Sequence, residues 1–192
     1  TWPDRVRTAT ERLELMTGLT FRDRAAPRVV LTPLRDERVP YRLATEIVEG
    51  RRRPVLRVGA ESLVSGTDRP ERVLLRGLAA AALEGPARAA PLPAWFTVSV
   101  GTLAAGDLAD RLEALARAAV RGAKAPSVDA RDPAEAEATG LAVVVLLAGA
   151  STPDDVRRLI LLVADGDDPT ALLPRWIQDR EGEWVGRARQ AL

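Results

Sequence analysis

Asp68-Arg69-Pro70-Glu71-Arg72-Val73-Leu74-Leu75-Arg76-Gly77-Leu78-Ala79-Ala80-Ala81-Ala82-Leu83-Glu84-Gly85 is the stretch at which the chain changes character. Asp68 and Glu71 have the spacing of a capping box, an apolar run follows, and Gly85 supplies a stop. Before this predicted helix the pattern is that of strands. Arg28 to Leu34 carries Val29-Val30-Leu31; Tyr41, Leu43 and Ile47 alternate with Arg42 and Glu46; Arg53 to Val58 is a third stretch. Gly50-Arg51-Arg52, between the last two, predicts a hairpin turn with a solvated arginine tip. Ahead of the strands, Val6, Ala9, Leu13 and Met16 recur at helical spacing and Gly18 ends the run.

After Gly85 the signals stay helical. Pro91-Leu92-Pro93 opens a helix through Trp95 to Leu103, and Asp107 caps another carrying Leu108, Leu112, Leu115 and Ala119. Asp132-Pro133-Ala134-Glu135 is a second capping box with Pro at the first helical position. Thr152-Pro153 starts a helix with Val156, Leu159, Ile160 and Val163 on one face, Asp168-Pro169 a short one, and Trp184, Ala188 and Ala191 mark a last one. The fold class read from this order is α+β: an N-terminal helix and small mixed β-sheet in 1–67, then a mainly helical part in 68–192. Short loops make 1–192 a single domain.

Composition narrows the chemistry. The formal charge of +1 over 192 residues gives no reason to expect nucleic acid or an anionic membrane as partner. Lys124 is the only Lys among 28 basic residues, an arginine bias read as a genomic imprint. There is no Cys and no His. Disulfides and thiolate chemistry are therefore out, and so are the commonest metal ligand and the usual general base near neutral pH. Expected cofactors and metals are none. The longest apolar run, Leu141 to Ala150, is about half a membrane span, so it predicts a buried helix. Thr1-Trp2-Pro3 opens the chain without Met, which is the look of a trimmed or a mature fragment.

Other motifs resolve into ordinary structure. Ser99-Val100-Gly101 is half a nucleophile elbow, because Thr97 replaces the first Gly. Lys124 and Ser127 run in reverse order for S-x-x-K. Asp165-Gly166-Asp167-Asp168 lacks the alternating ligands and terminal Glu of a calcium loop, and reads better as a helix stop at Gly166 followed by a cap at Asp168. The acidic pairs Glu135 and Glu137, and Asp154 and Asp155, stand at helix N-termini, where the dipole favours them.

The order of elements, with three local signatures, resembles the peptidase MA-like, or gluzincin, domains of bacteria, which have a zincin fold. Arg72 to Gly85 stands where such a domain reads V-L-x-H-E-x-x-H-x-L. Pro93-Ala94-Trp95-Phe96-Thr97-Val98-Ser99-Val100-Gly101 stands where it reads P-x-W-[LF]-x-E-G-x-A. Glu183-Trp184 resembles the closing L-E-x-x-W signature. Gly140 to Ala150 and Asp154 through Ala171 resemble the helices that follow the active site. On this resemblance the zinc-binding histidines are matched by Arg76 and Ala80, the general base by Gly77 and the glutamate ligand by Val98. Zinc needs nitrogen ligands one helical turn apart and a carboxylate to polarise water. All four positions have lost that capacity.

The resemblance implies a pseudoenzyme: a catalytically inactive, metal-free gluzincin-like domain that binds or scaffolds a peptide or protein partner. In active relatives an edge strand beside the cleft pairs with extended substrate, and Pro54 to Ala60 resembles that strand. The expected docking residues are Val55, Leu56, Arg57 and Val58, with Arg76 beside them. Arg76 is otherwise expected at the surface or in a structural ion pair. Two other readings stand beside this one. One is a hydrolase with a carboxylate site, to be sunk by an apolar, filled groove at Gly77 and Ala80. The other is a structural domain of a larger envelope protein. The family resemblance leans towards an extracytoplasmic location.

Overall fold

The computed structural model describes residues 1–21, 26–33, 40–60, 69–84, 91–107, 110, 136, 137, 139–141, 143, 144 and 152–173. Helix α1 spans Trp2–Thr17, and Gly18 closes it at φ 77°, donating its N–H to Glu14 O. Strands β1 (Arg28–Thr32), β2 (Tyr41–Val48) and β3 (Arg51–Gly59) follow. Among the described residues the further helices are α2 (Pro70–Leu83), α3 (Ala94–Ala105), α4 (Pro153–Asp165) and α5 (Pro169–Leu172). Residues 136, 137, 139–141, 143 and 144 contribute helical positions between α3 and α4. The α+β class with a small mixed sheet is thus observed.

The sheet order is β1-β3-β2. β3 runs parallel to β1, with Arg28 opposite Val55, and antiparallel to β2, with Tyr41 opposite Val58. This corrects the expectation that Val55 to Val58 form an edge: β3 is the central strand, and both of its backbone flanks are already paired. Proline in a central strand ordinarily removes a ladder bond. Here Pro54 opposes Thr45 of β2, while pairing with β1 begins only at Val55. A parallel neighbour is therefore not asked to bond at the one residue without an N–H.

The hairpin turn also lies earlier and is shorter than the expected Gly50-Arg51-Arg52. Glu49 and Gly50 form it, at φ 51° and 75°, and Arg51 and Arg52 already belong to β3. Two consecutive positive φ values match the right-handed twist of the flanking strands, as in type I′ turns. Across the strands, the Glu46 carboxylate accepts from Arg28 at 2.9 Å and from Arg57 at 3.5 Å.

Helix α2 is the hub of the molecule. It packs on β2, β3, α1, α3 and α4, and every residue from Val73 to Leu83 is buried. A helix covered all round must carry small residues where neighbours come close. The run Ala79-Ala80-Ala81-Ala82 meets that need, and Gly77 meets it most tightly. A Cβ there would fall 2.6 Å from Leu56 Cδ1. The N-terminus of α2 differs from the capping-box expectation. Arg69 is the N-cap, without a side-chain cap bond, and Pro70 takes the first turn. Proline's fixed φ and missing N–H suit that position. Asp68 lies outside the described residues.

One apolar cluster joins both parts of the chain, from Ala9 and Leu13 through Leu56, Val58, Leu74 and Trp95 to Ile160 and Leu173. The helix start at Thr152-Pro153 forms as read, and the structure adds a capping box there between Thr152 and Asp155; the Gly166 stop followed by the Asp168 cap on Thr170 N–H also forms as read. No described helix is long and apolar enough to cross a membrane. The expected helices after Asp107 and at Trp184, together with Lys124, Ser127 and Glu135, lie outside the described residues, apart from Asp110 itself.

Candidate functional site

Of the four positions matched to a zinc site, Arg76, Gly77 and Ala80 lie on α2 and Val98 lies on α3. Arg76 is buried, 8% exposed, and its Nη2 donates to Oδ2 of Asp107, which is 2% exposed and lies just beyond the α3 C-terminus. Gly101 of α3 faces the stem of Arg76. A Cβ at Gly101 would sit 3.4 Å from Arg76 Cγ, in ordinary contact. Arg76 is thus held in a structural ion pair. Asp107, read from the sequence as a helix cap, supplies the counter-charge that a guanidinium inside an otherwise apolar helix requires.

Gly77 and Ala80 are also buried, and Gly77 faces the side chain of Leu56 in β3. Val98 is half-buried and turns elsewhere. Its Cγ1 would lie 3.0 Å from a Cβ on Gly140, whose approach to α3 is so close that the same Cβ would fall 2.5 Å from Trp95 O. Three of the matched positions therefore have separate neighbours: Asp107 for Arg76, Leu56 for Gly77, and Gly140 for Val98. Among the described residues no group of three or more His, Cys, Asp or Glu side chains gathers where a metal could sit.

The expected docking residues fare differently from one another. Val55, Leu56 and Val58 are buried beneath 2% exposure, Leu56 under α2, while Arg57 is exposed and reaches Glu46. Backbone pairing with an added strand is closed to all four, because β1 and β2 occupy both sides. The outer edges of β1 and β2 have no further strand beside them among the described residues. Ile47 of β2 is 75% exposed there.

Ser99, the half-elbow serine, stands inside α3 rather than on a strand-to-helix turn. Its buried hydroxyl lies 2.8 Å from Trp95 O and 2.9 Å from Gly140 O. It ties Gly140 to α3 and is no exposed nucleophile.

Sequence reading missed a cavity of about 260 Å³ lined by residues of α1, α3 and α4 together with Val143, Val144 and Leu173. Met16, Trp95, Val100, Val144, Ile160 and Leu173 are among its walls. None of Arg76, Gly77, Ala80, Val98 or Val55 to Val58 lines it. The walls come from widely separated parts of the chain, so no local pattern announces the space between them. Trp95 and Phe96 set one wall with an edge-to-face pair, 5.7 Å between centroids and 84° between planes.

No family model, curated protein or solved structure matches the chain.

Proposed function

We propose that the chain is a metal-free, gluzincin-like pseudopeptidase domain of zincin fold that acts as a protein- or peptide-binding or scaffolding module in a larger bacterial protein. The observation that carries this reading is the Arg76–Asp107 pair. A cation with a buried carboxylate partner stands where the resemblance calls for the first zinc ligand. A divalent metal beside it would meet repulsion from the guanidinium, with the nearest carboxylate already engaged. Gly77 adds a steric argument, since a glutamate base there would run into Leu56. The burial of Gly77 and Ala80, with Leu56 against Gly77, weighs against the carboxylate-hydrolase reading in the same place.

The partner surface in this reading is not β3. Extended peptide would add to an outer edge of the sheet, with β2 favoured by its length and by exposed Ile47 and Val48. The test of the pseudopeptidase reading is zinc titration of the purified chain, followed by calorimetry and by thermal melting with and without chelator. The expected result is no stoichiometric binding at micromolar zinc and no chelator effect on melting. One zinc per chain, with melting lowered by chelator, would overturn it.

A further inference from the structure

We propose that the outer edge of β2 is the seat of a second copy of this chain: two β2 strands pair antiparallel about a two-fold axis at Ala44 and join the two sheets into one. The inference rests on the reading of β2 as a docking edge and names its partner. It does not depend on the fate of the zinc site.

Backbone direction comes first. In an antiparallel ladder, residues that bond to the neighbouring strand alternate with residues that turn their N–H and C=O away from it. Gly59 N–H donates to Pro40 O at 2.9 Å, and the register, with Tyr41 opposite Val58, sets these two residues face to face. Arg42, Ala44, Glu46 and Val48 therefore bond to β3, while Leu43, Thr45 and Ile47 point their backbone groups outward. Pro54 agrees with this phase. It stands opposite Thr45, where no bond to β2 is made, so its missing N–H costs nothing there. Among the described residues no strand lies beyond β2. Between Tyr41 and Val48 the strand has neither a proline nor a bulge, two of the usual devices that blunt an edge.

Symmetry and charge then select the register. Outward-facing residues must meet outward-facing residues, so the two-fold axis can pass at Leu43, Ala44 or Thr45 with most of the strand overlapping. An axis at Leu43 sets Arg42 against Ala44 of the second copy, and one at Thr45 sets it against Val48. Of the three, the axis at Ala44 sets Arg42 against Glu46, and it does so twice. Opposite charges facing across a strand pair are stabilising. Glu46 accepts from Arg28 and Arg57, yet a carboxylate offers about four lone-pair positions, so it can take a third guanidinium. The same axis lays Tyr41 against Ile47 of the second copy. By alternation these two share the face on which Tyr41 and Leu43 pack against the core. An aromatic ring opposite a β-branched side chain is a favourable pair, and it covers the 75% exposed Ile47. Leu43 and Thr45 exchange four backbone bonds around the axis.

The experiment is sedimentation equilibrium of the 192-residue chain from micromolar to millimolar concentration. The expected result is a monomer–dimer equilibrium. Thr45→Pro removes an outward N–H and no bond to β3, so it should keep the fold by circular dichroism and abolish the dimer. Arg42→Glu should weaken dimerisation at least about fourfold, since two attractive pairs become two repulsive ones. Cross-linking reads the register. The chain has no Cys, and two Ala44 residues facing each other as a non-bonded pair stand at a Cα separation of about 4.5 Å, within disulfide reach. In a glutathione redox buffer Ala44→Cys should form the intermolecular disulfide several-fold faster than Thr45→Cys, which an axis shifted by one residue would favour instead. If Thr45→Pro fails to fold, Arg42→Glu and the cross-link carry the test. A chain that stays monomeric throughout would overturn the proposal. So would a dimer unchanged in folded Thr45→Pro or in Arg42→Glu, or faster cross-linking at Thr45. None of these outcomes bears on the zinc titration, which decides the pseudopeptidase reading by itself.

Discussion

Arg76 of α2 and Asp107 beyond the end of α3 form an ion pair inside the protein, each under 10% exposed. Removing one member of such a pair leaves a charge in low dielectric, which costs about 3–5 kcal/mol, whereas replacing both with apolar groups of similar size is often close to neutral. Asp107→Ala and Arg76→Met should each lower urea-unfolding stability by about that amount. Arg76→Met/Asp107→Leu should lose much less than the sum. Additive losses in the double variant would show that the pair is not the unit described.

Gly77→Ala tests the contact of α2 with the sheet. Alanine is favoured over glycine within a helix by about 1 kcal/mol. Against that, its Cβ would stand 2.6 and 2.8 Å from the two Cδ atoms of Leu56, which is fully buried and has nowhere to retreat. Overpacking of this kind costs about 1–3 kcal/mol, so the steric term wins and stability should fall. In a Leu56→Ala background the same change should cost little or become favourable. A double-mutant cycle read by urea unfolding measures the difference.

Glu49 holds a left-handed conformation, φ 51°, that side chains with a Cβ disfavour by about 1–2 kcal/mol. Asparagine tolerates it and completes an Asn-Gly turn with Gly50. Glu49→Asn should therefore raise stability by on the order of 1 kcal/mol, seen as a higher melting temperature.

The α4 N-terminus carries a pH signature. The Thr152 hydroxyl and backbone N–H both donate to the Asp155 carboxylate, and with Arg158 nearby they hold its pKa below the ordinary value. A carboxyl lowered on folding contributes stability that is present above its unfolded pKa of about 3.9 and is lost as pH falls through the lower folded value. The difference in melting temperature between the wild type and Asp155→Asn should be largest above about pH 4 and should shrink on further acidification. A difference that grows towards low pH would contradict the assignment.

How far the fold could be read from the sequence depended on the range of the interactions. Gly18 after Met16, Thr152 with Asp155, and Gly166 before Asp168 are local signals, and each sits where the chain chemistry puts it. Strand order is not local. Val55-Leu56-Arg57-Val58 has a similar pattern at an edge or in the centre, and Pro54 argues for an edge until the register shows β1 pairing only from Val55 onward. The site was half legible for a similar reason. An arginine amid Leu and Ala in α2 implies a counter-charge, but only the packing of α3 on α2 selects Asp107. The cavity depends on how α1, α3 and α4 meet, which no single helix encodes.

The order β1-β3-β2 also fixes a sequence of events in folding. β2 and β3 need only a two-residue loop to find each other, whereas β1 must pair with a strand that follows it after the whole of β2. Closing the longer loop costs more chain entropy, and rates fall as contacts become less local. The hairpin therefore assembles first and β1 docks late. In the interval the flank of β3 from Val55 to Gly59 is open to any extended chain nearby, including a second copy of this one, so nascent molecules are most prone to mispairing along the strand that is best protected once folding is complete.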